Sequence, residues 1–176
     1  MLIRRKKMSF AKSHVEQFVY GATDGTITTF AVVAGAQGGG LGARTALILG
    51  FANLIADGIS MGVSSYLGEE SAELIKKDFK PLRAIVKSVW TFASFVVVGT
   101  LPLLAYVYEF TVGNGDQHNF YISIGLSMFA FVMIGLIKGA VSSTSKLRSV
   151  IETLLLGIIA ATAAYYVGVV LESSLK

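Results

Sequence analysis

Five long apolar stretches, at about 17–36, 45–67, 88–108, 120–137 and 150–171, constrain this chain more than any other feature. Each is about as long as the roughly 20 helical residues needed to cross some 30 Å of hydrocarbon. Apolar residues make up 53% of the 176-residue sequence and charged residues only 15%, against about a quarter charged in an ordinary soluble domain. That excess has to be hidden from water, and lipid is the place for it. The fold class expected is therefore an all-α membrane protein: one transmembrane domain over 1–176 with five transmembrane helices.

The connections sort by charge. Arg4, Arg5, Lys6, Lys7 and Lys12 precede the first stretch. Lys76, Lys77, Lys80, Arg83 and Lys87 lie between the second and third, and Lys138, Lys146 and Arg148 between the fourth and fifth. The opposite side holds Arg44, a loop with Glu109 and Asp116, and a tail with one lysine. Excess Lys and Arg mark the cytoplasmic side, which predicts a cytoplasmic N-terminus and an external C-terminus. The net charge of +4 follows from this pattern and gives no reason to invoke nucleic acid. The basic N-terminal segment lacks the compact apolar core of a secretory signal. Without an organelle-targeting segment, the expected location is a bacterial plasma membrane, with a vacuolar or other organelle membrane as the alternative.

Local punctuation adds detail. Pro102 is expected to kink or unwind the third span near its far end. Gly38, Gly39 and Gly40 are expected to turn the first two spans into an antiparallel hairpin, and Pro81 to end the helical pattern that runs on from span 2. Gly21 and Gly25 form a G-x-x-x-G pair, a spacing that lets helices approach closely. It places span 1 in the protein interior or at a subunit interface.

The first span is the least apolar, carrying Thr23, Asp24, Thr26, Thr28 and Thr29. A carboxylate at the bilayer centre costs about 2.5–3.5 kcal/mol even on lenient scales. Two such acids, Asp24 in span 1 and Asp57 in span 2, are functional candidates on that ground, against the alternative of acids buried for structure. Helical spacing aligns Asn53, Asp57, Ser60, Met61 and Ser64 on one face of span 2, and Tyr20, Gly21, Asp24, Thr28 and Ala31 on one face of span 1. A rise of about 1.5 Å per residue sets Asp24 and Met61 at similar depths, roughly 10 Å from the cytoplasmic end. Carboxylate oxygen suits hard cations and thioether sulfur softer ones, so the pair fits a borderline ion such as Fe²⁺ better than Mg²⁺ or Ca²⁺. Packing is the alternative role for Met61. Glu69, Glu70 and Glu73 could attract cations at the cytoplasmic mouth or form a solvated helix face. His14 and His118 read as surface residues, and Lys138 as a snorkelling lysine.

The segments YGATDGTITTFAVVAGAQGGG, GFANLIADGISMGVSSYLGEE and LRSVIETLLLGIIAATAAYYVGVVL resemble the vacuolar iron transporter family. The most specific parts are Asp24-Gly25 and the run Ile59-Ser60-Met61-Gly62 with Tyr66. The resemblance implies a five-helix protomer, a homodimer with the metal path between subunits, and export of Fe²⁺, often also Mn²⁺, in exchange for protons. Asp24 and Met61 match the family's pathway aspartate and methionine. Two departures stand out. Plant members carry a glutamate eight residues before that methionine, where this chain has Asn53 and shifts the acid to Asp57. Relatives also insert a glutamate-rich cytoplasmic metal-binding domain between spans 2 and 3, where this chain has only a short connection.

On this reading the metal-ligating candidates are Asp24, Met61, Asp57, Asn53, Glu69, Glu70 and Glu73, and the path runs along Asp24, Thr28, Asn53, Asp57, Ser60, Met61 and Ser64. No resident cofactor is expected, because the metal is cargo. Burial favours a protonated carboxylate and a bound dication favours an ionised one, so metal and proton compete. A membrane interaction protein whose buried acids lock helix packing is the alternative. With no cysteine, no histidine inside a span and no Ser-His arrangement, an enzyme is not expected.

Overall fold

The computed structural model describes residues 2–77, 80–112, 118–142 and 144–175. The side chains of Arg4, Arg5, Lys6, Lys7 and Lys12, like Asp116, lie outside the described residues. Among the described residues six α-helices follow one another: α1 (Leu2–Gly38), α2 (Ala43–Ile75), α3 (Pro81–Gly99), α4 (Leu104–Val112), α5 (Asn119–Val141) and α6 (Lys146–Ser174). A single 3₁₀ turn, Leu101–Leu103, joins α3 to α4 and contains Pro102. Proline lacks the N–H that an α-helix needs at this point, so the third long segment tightens there and resumes as α4.

Among the described residues, four helical segments are long and apolar enough to cross a membrane: α2, the α3–α4 unit, α5 and α6. The chain is a multi-pass membrane protein. α1 does not reach the same apolarity, and its packing explains how it fits. It runs along α3 and α6 and also touches α2 and α5, so the least apolar helix is the one the others enclose. Large apolar side chains point outward from the enclosing helices, among them Ile48 and Ile59 on α2 and Ile159 and Tyr166 on α6. That is the surface expected where acyl chains are the solvent.

Glycine permits the enclosure. Lipid supplies no hydrophobic force between helices, so association depends on close packing. A β-carbon placed at Gly25 would stand 2.4 Å from the Phe95 carbonyl oxygen, and one at Gly21 would stand 2.3 Å from both the Thr91 carbonyl and the Ser94 hydroxyl. The G-x-x-x-G face therefore meets α3 within the same chain. At the other end of α1, a β-carbon on Gly38 would lie 2.1 Å from the Tyr165 carbonyl of α6.

The hairpin between α1 and α2 turns at Gly39 and Gly40, where Gly40 takes φ of 64°. The next connection departs from expectation. α2 ends at Ile75, before the proline, with Lys77 in the left-handed region at φ of 54°. Pro81 then occupies the first turn of α3, where a missing N–H costs nothing. It opens a helix here and breaks none.

Replacing Gly25 with valine should destabilise the bundle by about 1–3 kcal/mol, the usual cost of overpacking. Gly125, with open space around its α-carbon, should accept alanine without loss. Thermal unfolding of the two variants in detergent checks the contrast, and equal melting temperatures would refute the close α1–α3 contact.

Candidate functional site

The line of residues on α2 that faces inward is set by its glycines. Leu54, Gly58 and Gly62 are buried at four-residue spacing, and Gly58 and Gly62 face Phe92 on α3. Beside them run Asn53, Asp57, Met61 and Ser65, all half-buried. Ser60 and Ser64, expected in the same stripe, turn outward and are exposed. The stripe thus divides into an inward line carrying the acid and an outer pair of hydroxyls.

Asp24 is half-buried on α1 and lies within electrostatic reach of Asp57. Neither carboxylate forms an ion pair or accepts a side-chain hydrogen bond among the described residues. The threonines around Asp24 do not serve it. Thr23 donates to the Val19 carbonyl at 2.6 Å, Thr26 to Ala22 at 2.8 Å and Thr28 to the backbone carbonyl of Asp24 at 2.9 Å. Each returns its hydroxyl to its own helix one turn back, the usual way to quiet a hydroxyl within a helix. Thr23, Thr26 and Thr28 are satisfied on their own helix, and none of them donates to either acid.

Met61 packs at the edge of the apolar cluster of Val33, Leu54 and Phe95. Its neighbour two turns away, Asn53, has its amide nitrogen buried without a hydrogen-bond partner, as does the hydroxyl of Thr29. Orphaned buried polar groups are rare, and both belong to the helices that carry the acids. Among the described residues no three His, Cys, Asp or Glu side chains converge. The candidate donors on these two helices are the carboxylates of Asp24 and Asp57, the Met61 thioether and the Asn53 amide.

Sequence reasoning missed a polar cluster beyond this set. Gln17 of α1, Ser65 of α2 and Thr91 of α3 join through their side-chain oxygens: Thr91 to Gln17 at 2.8 Å, Ser65 to Gln17 at 3.2 Å and Thr91 to Ser65 at 3.2 Å. The signal was present, because Gln17 precedes Asp24 by seven residues and Ser65 follows Met61 by four.

The acidic end of α2 is engaged. Glu69 meets the Lys87 ammonium at 2.5 Å and Arg83 at 3.6 Å, and Glu73 meets Arg83 at 3.5 Å. Glu73 also accepts the Lys80 backbone N–H at 2.8 Å, capping the start of α3. Glu70 is half-buried beside them. Near the C-terminal end of α5, Lys138 does more than snorkel: it pairs with Glu152 at 3.0 Å, which also takes Arg148 at 2.9 Å. At the opposite end of the bundle a cavity of about 710 Å³ is lined by Tyr106, Glu109, His118 and Asn119.

Sequence comparison adds an independent line. A sequence model of the VIT family matches residues 15–88 and 72–169. The chain is similar to a vacuolar iron transporter of Plasmodium falciparum, 25% identical over 231 positions that cover 94% of this chain and 85% of the relative. It is also similar to vacuolar iron transporter 1 of Oryza sativa subsp. japonica, 23% identical over 212 positions covering 86% and 82%. A shorter match, 39% identical over 69 residues, joins 39% of the chain to 22% of a vacuolar iron transporter of Toxoplasma gondii. Alignments of 231 and 212 positions exceed the 176 residues available, so these relatives contain residues this chain lacks. The family match divides over 72–88, across the α2–α3 connection.

With that connection short, Glu73 acts as a helix cap and ion-pair partner. Glu73→Ala should cost about 1–2 kcal/mol of stability, from a lost cap and an exposed Arg83 charge. Glu70→Ala should cost far less. Melting curves in detergent decide between them, and parity would remove the capping role.

Proposed function

The chain belongs to the VIT family, and we propose that it carries divalent iron, with manganese as a second substrate, out of the cytoplasm in exchange for protons. The family is one of transporters, not enzymes. The observation that carries the proposal is the pair of half-buried acids, Asp24 and Asp57, within electrostatic reach of each other and without a cationic partner among the described residues.

Two like charges in a poorly screened interior repel strongly. Such a pair is most stable when positive charge is supplied, and either one dication or protons can do this. Protons and metal then exclude each other from the same oxygens, which is the physical core of an antiporter. The thioether of Met61 tilts the donor set toward Fe²⁺ and away from Ca²⁺ and Mg²⁺. Asn53, Asp57 and Met61 on α2 and Asp24 and Thr28 on α1 form the proposed path, which leads toward the cavity beside Glu109 and His118. A packing lock would place hydrogen-bond donors around the acids; Thr23, Thr26 and Thr28 bond to backbone instead.

We place the N-terminus in the cytoplasm because the basic residues gather on that side. α1 then crosses as a fifth span, sheltered by the other four. A homodimer fits the exposed hydroxyls of Ser60 and Ser64, which a second copy would cover while completing the coordination one chain leaves short.

Asp24→Asn should lower Fe²⁺ uptake into proteoliposomes by an order of magnitude or more, and Asp57→Asn should also reduce it. Because an unpaired acid is removed, melting temperature should hold or rise. Acidifying the cytoplasmic face should slow wild-type uptake, since protons compete for the site. Unchanged uptake by Asp24→Asn would reject the mechanism, and a large loss of stability in that variant would favour the packing lock.

A further inference from the structure

The cluster of Gln17, Ser65 and Thr91 has a composition that helix adhesion alone does not require. Four contacts join its oxygens and the Lys87 carbonyl: Ser65 to Gln17, Thr91 to Gln17, Thr91 to Ser65, and Thr91 to Lys87 at 3.1 Å. With the Gln17 carbonyl oxygen, not its NH2, facing both hydroxyls, the two hydroxyls have only two hydrogens to serve all four. The cluster is rich in lone pairs and short of protons, and Thr91 is fully buried.

Its dimensions are those of a coordination face. Side-chain oxygens 2.8, 3.2 and 3.2 Å apart form a nearly regular triangle. Oxygens on one face of an octahedral dication, with metal–oxygen bonds of about 2.1 Å, stand about 3.0 Å apart. The hydroxyl hydrogens have somewhere else to go. Thr91 already reaches the Lys87 carbonyl one turn back, and a serine in a helix can donate to the carbonyl four residues before it. Lys87, the nearest positive charge along α3, is paired with Glu69 at 2.5 Å.

Position completes the case. Gln17 lies two turns before Asp24 along α1, and Ser65 lies one turn after Met61 along α2. The triangle therefore sits in line with the acids, toward the ends of the helices assigned to the cytoplasm. We propose that the oxygens of Gln17, Ser65 and Thr91 form a neutral hand-over site, where a partly hydrated divalent cation exchanges water for protein oxygen before reaching Asp24 and Asp57. The inference rests on the transport reading for its purpose, and on the triangle alone for its existence.

The test reads binding separately from transport. Full-length protein in nanodiscs carries ¹³C-methyl threonine, with the Thr91 signal assigned from Thr91→Val, and is titrated with Mn²⁺. In an Asp24→Asn/Asp57→Asn background the Thr91 methyl should still broaden, at higher Mn²⁺ than in wild type. Adding Ser65→Ala should abolish the broadening, whereas Gln17→Glu, which supplies a charged oxygen, should shift it to at least tenfold lower Mn²⁺. No broadening in the double variant, or broadening indifferent to both Ser65→Ala and Gln17→Glu, overturns the site. Broadening as expected in a protein that fails to move Fe²⁺ in proteoliposomes would refute the transport reading while leaving the site in place.

Discussion

Everything in this bundle depends on how a helix with an ionisable acid and four threonines is kept from lipid. α1 achieves it by letting other helices come within backbone distance. Gly21 and Gly25 admit α3, Gly38 admits α6, and Gly99 of α3 returns the favour by resting on the Gly25 carbonyl. Side chains at these positions would hold the helices apart and open a channel of lipid beside Asp24. The small residues and the acid thus form one requirement: the carboxylate is tolerable because its neighbours on the helix have no bulk.

Close packing also explains why the acids remain available. Thr23, Thr26 and Thr28 are satisfied on their own backbone, so none of the three donates to the carboxylate. A second acid on α2 then becomes the main electrostatic influence on the first, apart from burial itself. Such an arrangement is poor as an adhesive, since like charges push the helices apart, and good as a receptor for positive charge.

Much of this was legible in the residues. Apolar runs located the long helices, and Pro102 marked the 3₁₀ interruption between α3 and α4. Asp24 and Asp57 stood out because charge is rare where neighbours are apolar. Orientation about each helix axis was harder to read. One residue advances a helix by about 100°, so Ser64 and Ser65 lie on different sides, and only packing reveals that Ser65 turns inward. The G-x-x-x-G spacing announced close contact and was silent on the partner, which proved to be α3. Pro81 suits a helix end or a helix start equally well by composition; the left-handed Lys77 had already closed α2. Gln17 drew no attention because a lone amide near a basic segment looks like surface, and Thr91 because hydroxyls are common in membrane helices.

The acidic end of α2 shows the same limit from the other direction. Glu69, Glu70 and Glu73 have the look of a cation trap when read along one helix. Their meaning changes once α3 is folded back, because a short connection forces the end of α2 beside the start of α3. Arg83 and Lys87 then confront Glu69 and Glu73 at ion-pair distance. In relatives with more residues than this chain, a longer connection would relax that constraint and free carboxylates for other work. Here two of the three are committed to joining helices. A cation approaching from this side would meet Glu69 and Glu73 already neutralised, with Glu70 and then the oxygens inside the bundle beyond them. Selectivity would then arise within the membrane, where water is scarce and the fit of donor oxygens counts for more than net charge.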